Sequence, residues 1–160
     1  MSTHTGYIRA VAAALEAAGV PVADWRADDR RPRDGWIPFD LVRQVRLHGR
    51  VVWDHDQAGA GWDEDTGWWL LTVDDPYGRG VRTTKKLDLP RVAAPGSVVR
   101  AVAWPAGLEV PGLREPRADL DFPRHRAGVP DPAFEAALRR YAHVAQSPVD
   151  ESWNAAEGRG

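Results

Sequence analysis

Carboxylates clustered along the chain are the first residues with the means to do chemistry. Asp54, His55 and Asp56 stand in a row, and Asp63, Glu64 and Asp65 follow a few residues on. On a strand, Asp54 and Asp56 share one face, as a metal-binding pair does. Asp54, Asp56, Gly59 and Asp65 also fall at positions 1, 3, 6 and 12 of a calcium loop. Position 5 of that loop is Ala58, its last position is Asp rather than Glu, and its flanks read as strands. A carboxylate- or metal-dependent hydrolase using Asp54, Asp56 and Asp63 is therefore a second alternative. The plainer reading is a long polar hairpin, since turns collect such residues anyway.

Other reactive patterns are missing. Cysteine is absent, which removes disulfides, thiol nucleophiles and thiolate metal sites together. The four Ser residues, at 2, 97, 147 and 152, form no Gly-x-Ser-x-Gly. The five His residues form no His-Glu-x-x-His, and His143 reads as a surface residue. Gly59-Ala60-Gly61 and Gly78-Arg79-Gly80 are too short to cradle a phosphate. No catalytic residue and no cofactor is expected.

Binding chemistry is better represented. Residues 26–50 carry seven Arg against four Asp, a local balance of +3. Arg30, Arg31 and Arg33 beside exposed Trp are the residues of an alternative reading, association with nucleic acid. The net charge of -2 gives the whole molecule no electrostatic reason to seek nucleic acid or anionic lipid. Trp outnumbers Tyr and Phe together, 8 against 6, so the core has aromatic surface to spare. Trp53, Trp62 and Trp68 lie within sixteen residues, and alternate strand residues point to opposite sides. Trp62, beside Gly59 and Gly61, is expected to be partly exposed. With Asp63, Glu64 and Asp65 beside them, these indoles suit a basic protein partner through cation–π contact and charge-assisted hydrogen bonds.

These residues need elements to hold them. A helix is expected over 5–19, capped by Thr5 and ended by Gly19. Strands are expected at 20–25, 36–39, 50–54, 68–73 and 83–89, with a turn at 63–67, another at 74–78 and an ambiguous stretch at 41–47. Trp69, Leu71 and Val73 make one face of strand 68–73 apolar, and Trp68, Leu70 and Thr72 make up the other, which predicts cover on both sides. Pro95 opens a helix over 95–103, with Val98, Val99 and Val102 as its apolar stripe.

The chain divides into an α+β domain over 5–105, a Pro/Gly-rich linker over 106–130, a C-terminal helix over 131–146 and a disordered tail over 147–160. The fold class is α+β, an antiparallel four- or five-stranded meander sheet with the N-terminal and closing helices on one face, plus the C-terminal helix. That last helix, with Phe134, Leu138 and Tyr141 in its stripe, packs on the other face or serves a homodimer. No run approaches the ~20 apolar residues of a membrane span, and Met1 to His4 lack a signal-peptide pattern, so a cytoplasmic location is expected.

The order of Tyr7–Gly19, Gly35-Trp36-Ile37-Pro38, Trp62-Asp63-Glu64-Asp65-Thr66-Gly67-Trp68 and Ala94–Val102 resembles a family of small uncharacterised actinobacterial proteins, a domain of unknown function. The resemblance spans roughly residues 5–104 and implies helix, aromatic strands, a Trp-Asp-Glu-x-x-Gly-Trp hairpin and a closing helix. It carries no site residues. The functional expectation is a non-catalytic protein-interaction or regulatory module.

Overall fold

The computed structural model describes residues 2–75, 79–110 and 118–142. Among these residues nine elements follow in chain order: α1 His4–Ala17, β1 Arg26–Asp28, β2 Asp34–Pro38, α2 Gln44–His48, β3 Gln57–Asp63, β4 Gly67–Asp74, β5 Val81–Lys86, α3 Pro95–Ala103 and α4 Pro132–Arg139. The five strands pair antiparallel in the order β1-β2-β3-β4-β5, the expected meander. Among the described residues no helix is long and apolar enough to cross a membrane.

α1 starts one residue earlier than its periodicity predicts. Thr3 is its N-cap, without a side-chain capping bond, and Gly19 leaves it at φ 93°. Ile8, Val11 and Leu15 are fully buried beneath the sheet, and Gly35 of β2 gives Ile8 room. A Cβ at 35 would lie 2.4 Å from Ile8 Cδ1. α3 matches its predicted span, with Pro95 in its first turn and Val98 and Val99 fully buried.

Three local expectations are corrected. Residues 20–25 form only an isolated bridge, Val22 to Phe39, and the first strand comes later. The predicted strand 50–54 is irregular, because Gln44 reaches over from α2 to take its backbone groups. Gln44 Oε1 accepts from Val52 N (2.9 Å) and Trp53 N (2.8 Å), and Gln44 Nε2 donates to Trp53 O (3.2 Å). Groups satisfied this way need no sheet partner. The run 57–61, Gln-Ala-Gly-Ala-Gly, is instead the start of the central strand.

The third correction concerns cover. α4 packs against α1, on the same side of the sheet as α3, rather than on the opposite side. Phe134, Leu138 and Tyr141 close onto that core, and Phe134 stacks with Trp62 at 6.4 Å and 7°. The second apolar face of β4 is left half-buried, with Trp69, Leu71 and Val73 open to solvent. β5 is an exposed edge strand and carries both lysines of the chain, Lys85 and Lys86. The expected turn at 74–78, the linker residues 111–117, His143 and the end of the last helix, and the tail 147–160 lie wholly or partly outside the described residues.

Candidate functional site

The hairpin tryptophans are core residues. Trp62 and Trp68 are fully buried and Trp53 is 5% exposed. The exposure expected of Trp62 is absent because β3 turns its even-numbered residues inward, where His4, Tyr7 and Phe134 surround it. Its indole N–H donates to Arg91 O at 2.7 Å. Nearby, Asp63 is spent on the turn: Oδ1 accepts from Asp65 N (2.9 Å) and Thr66 N (2.8 Å), and Oδ2 from the Thr66 hydroxyl (2.5 Å). Asp65 accepts from Ala127 N at 2.8 Å.

Asp54, Asp56 and Asp63 are not brought together. Asp56 precedes β3 and Asp63 ends it, roughly 20 Å away at strand rise. Asp56 instead accepts from the backbone of Asp75. Among the described residues no group of three or more His, Asp or Glu is placed to hold a metal ion.

Glu64 belongs to a buried ionic network that sequence reading misses. Arg33 Nε donates to Glu64 Oε2 (3.1 Å), and Arg33 Nη2 donates to Glu64 Oε1 (3.2 Å) and Glu135 Oε1 (2.5 Å). Thr3 donates to Glu135. His125 Nε2 lies 2.8 Å from Glu64 Oε1, and His125 Nδ1 lies 3.0 Å from Asp131 Oδ2. Phe134 stacks on the His125 ring at 3.8 Å and 16°. Burial alone would raise the Glu64 carboxyl; hydrogen bonds from Arg33 and His125 overturn that and hold it at about 2. Glu135 is likewise held low by Arg33 and Thr3 against its burial. Asp131 is held low by the Phe134 N–H it caps and by His125. A cleft of about 580 Å³ opens above the network, with Arg31 and Arg139 on its rim.

The three nucleic-acid candidates part company here. Arg33 is consumed by the network and Arg30 pairs with Asp28 at 3.0 Å, while Arg31 is exposed.

The open face of the sheet gathers different residues. Strand register lines up Arg26, Trp36, Gly61, Trp69 and Lys86 in one row across β1 to β5. The next row holds Pro38, Gly59, Leu71 and Thr84. At both central positions a side chain meets an indole. A Cβ at 61 would lie 2.1 Å from Trp69 Cη2, and one at 59 would lie 2.5 Å from Trp36 Cη2 and 2.7 Å from Ile37 O. Over this glycine strip Trp36 and Trp69 stack at 5.9 Å and 21°. Two shallow clefts, about 380 and 370 Å³, flank the pair, and Arg82 and Trp69 line both. The sequence signal for this face is the Gly-x-Gly of β3, set by the hairpin turn opposite alternate residues of β4.

Comparison with curated proteins gives no match, and comparison with solved structures gives none. Residues 7–104 match the model of DUF6292, a family of unknown function, a span that runs from Tyr7 within α1 through α3 and includes both open-face tryptophans but not α4. More than half of the chain lies in that match, and the protein belongs to this family.

Proposed function

We propose that the chain is a non-catalytic binding module whose working surface is the open face of the sheet. The observation that carries this reading is the stacked Trp36–Trp69 pair on a glycine strip, half-buried on a face that no helix packs against among the described residues. Monomer cores rarely leave two indoles and two aliphatic side chains contiguous in water without a use for them. The acid–base groups support the same reading from the other side. Both oxygens of Glu64, both ring nitrogens of His125 and the Arg33 guanidinium are engaged with one another or with Asp131 and Glu135, which suits a latch between the domain and the C-terminal segment.

Photo-crosslinking in host cells tests the surface. A photoreactive amino acid at position 84, exposed in the second row of that face, is expected to give a discrete macromolecular adduct, and one at position 136, exposed on α4, none. Adducts from 136 alone, or from neither position, overturn the reading.

A further inference from the structure

We infer that the occupant of the open face is single-stranded nucleic acid, with bases stacked at Trp36 and Trp69 and phosphates held by Arg26, Arg82 and Lys86. This rests on the reading above and names its ligand.

Three arginines are neutralised by carboxylates, Arg30 by Asp28, Arg33 by Glu64 and Glu135, and Arg43 by Glu16 and Asp40, while others away from this face, Arg31 and Arg139 among them, hold no ion pair among the described residues. Arg26, Arg82 and Lys86 are exposed and hold no ion pair among the described residues. All three project from the open face, because each pairs in register with an outward residue: Arg26 with Trp36, Arg82 with Val73, Lys86 with Trp69. The face is thus an aromatic centre with cations on both flanks. Arg26 and Lys86 stand four strand spacings apart, roughly 19 Å.

Acidic residues form one row of this face, Asp28, Asp34 and Asp63, beside the aromatic row. Asp28 is held by Arg30. Burial, and then the charge of Asp28, push the Asp34 carboxyl above its ordinary value, against Arg30, His4 and Arg26, which favour its charged form. Asp63 is tied into its turn. Past that row, the cations without an ion pair among the described residues run from Arg26 past Arg82 to Lys86.

An apolar protein partner fits this surface less well. Protein interfaces put their aromatic residues in a desolvated centre and deplete lysine around it. Here the indoles lie on bare backbone, where the glycines leave a shallow platform rather than a pocket. Partly exposed indoles beside a cationic track are the pattern that sequence-tolerant binding of single strands uses. The net charge of -2 confines the attraction to this face and leaves none for the molecule at large, so affinity is expected to be modest and steeply salt-dependent.

The test is fluorescence anisotropy of the full chain with a labelled oligothymidylate of about twelve nucleotides, and with a duplex of the same length. The single strand is expected to bind, to quench tryptophan emission, and to weaken with salt at a log–log slope of about -2, from three phosphates at ~0.7 each. Arg82→Gln is expected to keep the melting temperature and reduce the slope by about 0.7. Trp69→Leu, checked for folding by its melting curve, is expected to weaken binding about tenfold or more. Binding of poly-glutamate as tight as that of the oligonucleotide shows charge without stacking and overturns the inference. So does absence of oligonucleotide binding at low salt, or binding that Trp69→Leu and Arg82→Gln both leave unchanged. In those cases a protein adduct from position 84 would still uphold the open face as the working surface, whereas no adduct would remove both readings.

Discussion

The Tyr7 hydroxyl is the hinge between α1 and the hairpin: it accepts from Trp68 Nε1 at 2.9 Å and donates to Ala93 O at 2.6 Å. The same ring meets Trp62 and Trp68 edge-on, 5.9 Å from each centroid. One helical side chain thus satisfies a strand indole and the approach to α3, all at full burial. Tyr7→Phe keeps the ring and orphans both partners. The expected cost is about 1–3 kcal/mol, read as a shift of the urea midpoint with an unchanged slope.

Trp62 and Trp36 are expected to behave as opposites under truncation. Trp62→Ala opens a cavity under His4, Tyr7 and Phe134 and is expected to cost about 3–5 kcal/mol. Trp36→Ala removes a half-buried ring from an open face and is expected to cost about 1 kcal/mol or less. Thermal melts of the two variants side by side check the difference.

Acid should weaken the latch. The Glu64 carboxyl falls from an ordinary 4.5 to about 2 in the folded chain. A lowered folded value means the unfolded chain binds the proton first, so stability is complete above about pH 5 and is lost as pH falls through 2. Over that window Glu64 contributes roughly 3 kcal/mol. Glu135 and Asp131, also lowered, add to the loss in the same direction. Glu64→Gln is expected to lower stability at pH 7 and to flatten the slope between pH 5 and 2, measured by urea melts at each pH.

Gly59 and Gly61 should tolerate alanine differently. At 61 the clash is with the edge of an indole on an open face, which can lift away. At 59 it includes a strand carbonyl, Ile37 O at 2.7 Å, which cannot move without breaking register. Gly61→Ala is expected to change tryptophan emission with a cost of about 1 kcal/mol, and Gly59→Ala to cost about 2–3 kcal/mol.

The meander was legible wherever local chemistry dictates it. The polar run Asp63–Gly67 makes a turn in any context, and Gly67 at φ 84° completes it. Pro95 starts α3, and Asp131 caps α4 by accepting from Phe134 N. β3 was obscured because Ala-Gly-Ala-Gly has poor intrinsic strand preference. Its pairing with β2 and β4, with tryptophans lying over the glycines, supplies what the residues lack. The ionic network was invisible for another reason. Its members join across 31, 61 and 102 residues, and no local period records such separations. The open face went unread because strand 68–73 is apolar on both sides, and burial is the ordinary outcome of that pattern.

Lys85 and Lys86 sit side by side on β5, the outer strand whose free backbone groups invite another strand to add. All nineteen other basic side chains are guanidinium groups. Every side-chain amine of the protein is therefore concentrated on the rim where the sheet would grow. Acylation, whether by a reagent or by an enzyme, finds its side-chain targets there alone and cancels two adjacent positive charges in one place. The same modification leaves Arg82 as the one cation of that strand and lessens the repulsion between two such rims, so an acetylated population should be the one that self-associates through its sheets.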